Sequence, residues 1–285
     1  MVLIDKPTGM TSHDVVAQLR KKLSEKKIGH AGTLDPFASG LLIMGIGSGT
    51  KLLHHLFGLD KQYLATIRLG QATFTDDLEG AVVSEGSAVH ISLEQIMREV
   101  RNLTGKIQQA PSRVSAIKIA GKRAYELARA GETVEIPARA VEVYHFQVTS
   151  ELRVVQEFLE FDVTVDCSSG TYIRALARDI GKALGVGGHL RALRRTRVGE
   201  FSIGDAVKVE DVSHLRTLDS VAEKLFPRLD LTQQQAQDII HGKRVALDNS
   251  VSVAAIYQDQ LLAILEPIGG GFYRSLTVFA EAFDG

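Results

Sequence analysis

The chemistry of this chain is best sought first at Asp35, in the stretch GHAGTLDPFASG, residues 29–40. Glycines on either side of a carboxylate let backbone approach a ligand closely. His30 lies five residues earlier. A carboxylate that is positioned and kept ionised can act as a covalent nucleophile or as a proton acceptor. The same dipeptide also has a purely structural reading, because Asp followed by Pro36 is a good N-cap and first residue for a helix.

Other reactive side chains are sparse or lack a pattern. Arg174, Arg178 and Lys182 recur at steps of four, which puts three cations on one face of a helix. Cys167 is the only cysteine, so an intrachain disulfide framework and a cysteine-based zinc site are excluded. The nine histidines lack ligand spacing, and no metal is expected. Gly45, Gly47 and Gly49 fit neither the dinucleotide fingerprint nor the P-loop and read as turn glycines. No cofactor is implied.

The elements around these residues follow from hydrophobic spacing. Val2–Ile4 reads as a strand, followed by a turn through Pro7 and Gly9. Thr11 and Asp14 fit a capping box, with Val15, Val16, Leu19 and Leu23 at helical spacing. The apolar run Leu41–Met44 is a buried segment at the end of the glycine-rich loop. Residues 62–69 alternate with Tyr63, Ala65, Ile67 and Leu69 on one face, and residues 158–167 alternate with Leu159, Phe161, Val163, Val165 and Cys167 inward. Residues 91–103 read as a helix. Ile173, Leu176, Ala177, Ile180 and Leu184 form the apolar stripe of another, ended by Gly185. Beyond Arg228 come a short helix near Thr232–His241 and three short strands. The expected class is α+β. A mixed, largely antiparallel sheet with flanking helices occupies residues 1–227, and a small β-rich module occupies 228–285.

With 45% hydrophobic residues the chain can pack a core, and it carries no run long enough for a membrane span. It reads as cytoplasmic, without membrane attachment. The net charge of −1 advertises nothing, but its distribution does. Residues 101–139 hold eight basic and three acidic residues, and residues 171–197 hold seven and one. From Val198 onward the balance reverses to seven and thirteen. A basic centre beside an acidic tail region is what a face built for a polyanion looks like, though charge runs are also ordinary solvated surface. Residues 110–131 are small, basic and glycine-punctuated, as in a surface arm.

Seven segments together resemble the TruB family, the bacterial tRNA pseudouridine-55 synthases. VLIDKPTGMTSHD is similar to that family's N-terminal motif, and GHAGTLDPFASG to its catalytic-aspartate motif. KQYLATIRLG resembles its tyrosine motif, and GQATFTDDLEG keeps a GTDD-like spacing. PSRVSAIKIAGKRAYELARAG resembles its RNA-clasping arm, and CSSGTYIRALARDIG with GGHLRALRRTRVGEF its remaining motifs. The blocks run in order over residues 2–202. The C-terminal module resembles, more weakly, an RNA-binding PUA-like domain.

The resemblance implies a pseudouridine-synthase fold and a cofactor-free isomerase acting on the T-arm of tRNA, expected as a monomer. It implies Asp35 as the catalytic aspartate, Tyr63 stacking on the target uracil, and Arg174 pairing with the aspartate. His30 would pack beside the flipped base. Tyr172 and Leu193 would line its pocket, and Asp77 would lie close by. Lys118, Lys122 and Arg123 of the arm would meet phosphates. Two other readings belong to the same scaffold: a non-catalytic RNA-binding or RNA-folding module, and the synthase component of a guide-RNA-dependent particle. Retention of Asp35, Tyr63 and Arg174 together argues against the first, and the long basic arm against the second.

Overall fold

The computed structural model describes residues 1–112, 118–119, 122–123, 136–247 and 250–279. Most of the chain is organised by one ten-stranded sheet. Its central order is β1 (Val2–Lys6), β3 (Ser39–Ile46), β13 (Gly188–Val198), β4 (Lys61–Leu69), β12 (Phe158–Cys167), β10 (Arg139–Val148) and β7 (Gly105–Gln109). Strands β2 (Ile28–Ala31), β11 (Arg153–Val155) and β14 (Phe201–Ser202) add to β3, β12 and β13, and β5 (Gln71–Thr73) pairs with β6 (Val82–Glu85) in a separate two-stranded sheet. Every pairing is antiparallel except β13 with β3.

The alternation expected at residues 62–69 and 158–167 is realised. Tyr63, Ala65, Ile67 and Leu69 of β4 and Leu159, Phe161, Val163, Val165 and Cys167 of β12 are buried in one core. Helices α3 (Leu93–Asn102) and α4 (Ile173–Ala183) cover that face through Ile96, Val100, Ile173, Leu176, Ala177 and Ile180. The run Leu41–Met44 is apolar throughout because β3 is covered on both faces. Leu42 and Met44 pack on Val15, Val16 and Leu19 of α1 (Ser12–Leu23), while Leu41 and Ile43 face the opposite way. The capping box on α1 is formed by Thr11 and Asp14.

The glycines of 45–49 divide by role. Gly47, at φ +57°, makes the turn into a 3-10 helix (Gly47–Leu52) ahead of α2 (Leu53–Phe57). Gly45 lies within β3, where a Cβ would come within 2.9 Å of Thr50 backbone. Gly40 serves the crossing of β3 and β13. At φ +104° it lets the two backbones meet where a Cβ would lie 2.2 Å from the carbonyl oxygen of Arg195.

The last strands form a second, open sheet in the order β15 (Arg228–Asp230), β17 (Val253–Tyr257), β18 (Gln260–Gly269), β19 (Phe272–Val278), β16 (Val245–Ala246). Its one face shares a core with the start of the chain, where Ala254, Ile256, Leu261, Ile264 and Phe279 pack with Leu3, Leu41, Ile43, Leu52 and Phe201. The short helix expected near Thr232–His241 runs over Gln233–Ile240, with Thr232 as its cap, and covers the other face through Ala236 and Ile239.

Candidate active site

Asp35 starts a turn, not a helix. The carbonyl of Asp35 accepts from the amide of Ala38 at 3.1 Å, Pro36 fills the second turn position, and β3 follows at once. Two staples fix this loop. Ser12, buried at the start of α1, donates from Oγ to the carbonyl of Leu34 at 3.2 Å and accepts from its amide at 3.0 Å. Lys6, fully buried, donates from Nζ to the carbonyls of Pro7 at 2.9 Å, Met10 at 2.6 Å and Pro36 at 3.5 Å. Burial lowers the Lys6 ammonium to about 8, with the Asp35 charge opposing.

Arg174 sits in the first turn of α4 and is 4% exposed, although helical spacing puts it with Arg178 and Lys182 on a polar face. The carboxylates explain its burial. Nε donates to Asp35 Oδ2 at 3.0 Å, and Nη1 donates to Asp77 Oδ2 at 3.2 Å, to the Thr75 carbonyl at 2.8 Å and to Ser112 Oγ at 3.3 Å. Asp77 is also buried and accepts from the Thr75 hydroxyl and the Glu79 amide. Arg178, one turn on, donates to Asp76 and to the carbonyls of Ala110 and Pro111. Only Asp35 keeps a substantial opening, with 38% of its side chain accessible. Burial pushes its carboxyl above the ordinary carboxylate range, Arg174 pulls it down, and the Asp77 charge adds to the rise. A carboxylate so placed is oriented by one cation and is a stronger base than an exposed aspartate.

This opening gives onto a cavity of about 310 Å³, within the range of small-ligand sites. Tyr63, Tyr172, Arg174 and Leu193 form walls of it, as do Lys61, Phe57, Arg195 and the turn Ser169–Thr171. Tyr172 is the N-cap of α4 and makes no side-chain cap, which leaves its ring to the cavity. The Tyr172 backbone is gripped from both sides by the Gln109 amide, which accepts from its N–H at 2.8 Å and donates to its carbonyl at 3.1 Å.

Asp35, Tyr63, Tyr172, Arg174 and Leu193 are therefore brought together, and Asp77 stands behind Arg174. His30 is not on the cavity wall. It lies on β2 edge-to-face with His13, ring centroids 5.6 Å apart, with Nδ1 buried and unpartnered. Burial lowers its imidazole to about 4, with His13 and Arg195 adding to the fall, so the ring is neutral near pH 7. Lys118 and Arg123 are paired across two short strands (Lys118–Ile119, β8; Lys122–Arg123, β9), and the side chains of Lys118, Lys122 and Arg123 lie outside the described residues, as does most of 110–131.

Two buried cations on the cavity wall escaped the sequence reading. Lys61 is 7% exposed and donates to the carbonyls of Phe57 and Leu59. Arg195 is 1% exposed and donates from Nε to the Leu41 carbonyl and from Nη2 to the Gly32 carbonyl, both at 2.8 Å. Strand parity was the available signal. Lys61 is two residues from Tyr63, and Arg195 two from Leu193, so each shares a strand face with a pocket residue.

Two family models together match residues 20–232 of this chain. The TruB family pseudouridylate synthase N-terminal domain matches residues 20–173, and the tRNA pseudouridylate synthase B C-terminal domain matches residues 174–232. The chain belongs to the TruB family of pseudouridylate synthases, which are isomerases. Its curated relatives carry the name tRNA pseudouridine synthase B. One from Mycobacterium sp. (strain KMS) is 51% identical over 93% of this chain and 91% of its own length. One from Leifsonia xyli subsp. xyli (strain CTCB07) is 52% identical over 98% and 96%. Among solved structures, a chain of a Cbf5-Nop10-Gar1 complex superposes with TM-score 0.70 at 24% identity, covering 97% of this chain and 83% of that one. At that identity the likeness establishes the fold alone. Among the described residues no helix is long and apolar enough to cross a membrane.

Proposed function

We propose that this chain isomerises the uridine at position 55, in the T-arm loop of tRNA, to pseudouridine, working as a monomer without a cofactor. The observation that carries the reading is Asp35 held at the cavity edge by Arg174, itself buried and tied to a second carboxylate. RNA binding alone has no use for such a pair.

A uridine inside a folded loop must be flipped out, at a cost of roughly a few kcal/mol. An aromatic face returns about 1–3 kcal/mol per stacked base. The Tyr63 ring and the Leu193 side chain are the groups suited to hold the uracil over Asp35. With Asp35 ionised, the bond from N1 to the ribose breaks, the base turns within the cavity, and C5 bonds to the ribose carbon. The C5 proton then leaves to an acceptor, for which Tyr63 is the candidate, and N1 gains one. In this reading His30 stands beside the entering base. Lys118, Lys122 and Arg123 of an arm near 110–131 hold phosphates. Residues 1–227 are the catalytic domain and 228–285 a PUA-like RNA-binding module. A larger cleft of about 690 Å³ shares Leu193 as a wall and carries Arg191 and Arg194, cations suited to the loop's backbone.

Incubation with unmodified tRNA followed by mapping of pseudouridine tests the proposal. Product at one T-loop position is expected. Asp35→Asn should abolish it while tRNA affinity stays within about threefold, under 1.4 kcal/mol. Turnover by the Asn variant, or modification elsewhere in the tRNA, would overturn the reading.

A further inference from the structure

Arg195 is an anomaly of charge. Its guanidinium is buried in the centre of the molecule, yet it has no ion-pair partner among the described residues. Arg174, on the wall of the same cavity, has two carboxylates. A buried charge is costly unless something compensates it, and two carbonyls are weak compensation for a full positive charge. Two of the five guanidinium N–H groups are used on Leu41 and Gly32.

What lies beside it is a phenol. Arg195 on β13 and Tyr63 on β4 are direct partners in the antiparallel ladder. Side chains of such a pair point to the same face of the sheet, about 5 Å apart at Cβ. Both are buried, and both line the cavity that Asp35 opens into. Burial pushes the Tyr63 phenol above its ordinary value, and the charge of Arg195 and its hydrogen-bonding contact oppose that rise.

The geometry points to Arg195 as the positioning residue that lets Tyr63 take the C5 proton. The inference rests on the proton-acceptor role proposed above for Tyr63. A neutral phenol cannot accept a proton from carbon; a phenolate can. The phenol proton first leaves to water at the cavity mouth, and the guanidinium holds the resulting negative oxygen. Once C5 has bonded to the ribose carbon, the phenolate oxygen takes the C5 proton. The electron pair of the C–H bond returns to the ring, and N1 takes one proton from water. One proton is lost at C5 and one gained at N1, so the isomerisation balances without a co-reactant. The guanidinium is at the same time bonded to Gly32, three residues before Asp35, so the unit that removes the proton is fixed to the loop that carries the aspartate.

The test is a mutant cycle read by isotope effect. Arg195→Lys, Tyr63→Phe and the double variant are compared in single turnover, using tRNA with protium or deuterium at C5 of the target uridine. Arg195→Lys should slow product formation at least about tenfold and raise the C5 isotope effect, because proton removal becomes rate-limiting. In the Tyr63→Phe background the same change should cost less than about twofold, since the group it serves is gone. A more acidic fluorinated tyrosine at position 63 should restore much of the Arg195→Lys loss. If Tyr63→Phe alone turns over like wild type, the proton-acceptor reading of Tyr63 fails. If Tyr63→Phe is slow but the two changes are additive with an unaltered isotope effect, Arg195 is only a brace for Gly32 and Leu41, and this inference fails by itself. Should Arg195→Lys not fold, a comparison that keeps Arg195 still decides. The guanidinium nitrogen resonances of Arg195 must shift when Tyr63 becomes Phe, and unshifted resonances overturn the pairing.

Discussion

Arg174→Lys keeps the charge and removes the fork, which makes it the sharpest probe of how Asp35 is held. In the native site Nε serves Asp35 while Nη1 serves Asp77, the Thr75 carbonyl and Ser112. A lysine ammonium is one atom with three donors and cannot span both carboxylates in that geometry. Asp77, with 5% of its side chain exposed, has no water to turn to, so the ammonium is expected to settle there and leave Asp35 without its partner. One lost charge-assisted hydrogen bond is worth about 1.5–3 kcal/mol. If that loss falls on the transition state, kcat drops about tenfold to about 150-fold at 1.36 kcal/mol per decade. Affinity for tRNA should stay within about threefold, because Arg174 is itself buried. The assay is single-turnover pseudouridine formation at saturating enzyme, with a filter-binding Kd and a thermal melt on the same preparation. Near-wild-type kcat in a folded Lys variant would refute the orienting role. A loss confined to Kd would move Arg174 to the RNA-contact surface.

Other expectations follow from the same geometry. The rate of pseudouridine formation should fall on acidification through an apparent pKa above the ordinary aspartate value of about 4, because Asp35 is raised by burial and must be ionised to act; a pH–kcat profile with its acid limb below that value contradicts this. Alanine at Lys118, Lys122 and Arg123 together should flatten the log–log salt dependence of tRNA binding by roughly two to three units if each meets a phosphate, and an unchanged slope would put the RNA elsewhere. Gly40→Ala should destabilise the fold by more than about 2 kcal/mol, seen as a lower urea midpoint, since its Cβ would lie 2.2 Å from the Arg195 carbonyl oxygen at a φ of +104°.

The strands were legible wherever one rule of spacing governed them. Tyr63 to Leu69 and Leu159 to Cys167 alternate because one face is core and the other is not. Asp35 was legible through the company it keeps in the sequence, while its local conformation was not: Asp–Pro serves a helix start and a turn equally well, and the choice is made by Ser12 and Lys6, more than twenty residues upstream. Arg174 misled for a related reason. Its spacing with Arg178 and Lys182 describes an exposed face, but Asp77 and Asp35 arrive over it from two other segments. Arg195 was hidden by abundance, since Arg191, Arg194 and Arg197 stand close by and three of the four face water or surface acids. Lys6 and Lys61 look like surface lysines by type; most of the carbonyls that hold them lie within four residues, and it is the tertiary fold that buries them.

The core shared by the first strands and the last ones has a consequence for how the chain is made. Leu3, Leu41, Ile43 and Leu52 leave the ribosome roughly two hundred residues ahead of Ala254, Ile256, Ile264 and Phe279, which complete their packing. During that interval the half of the protein that carries Asp35 holds an apolar face that Val198, Phe201 and Val221 cover only in part. Contacts so distant in sequence also form slowly, because the entropy of closing the loop comes before any burial repays it. Apolar surface left open in this way is prone to aggregate until the last strands arrive. The final sheet is the missing half of the first core as much as a tail hung on a finished enzyme.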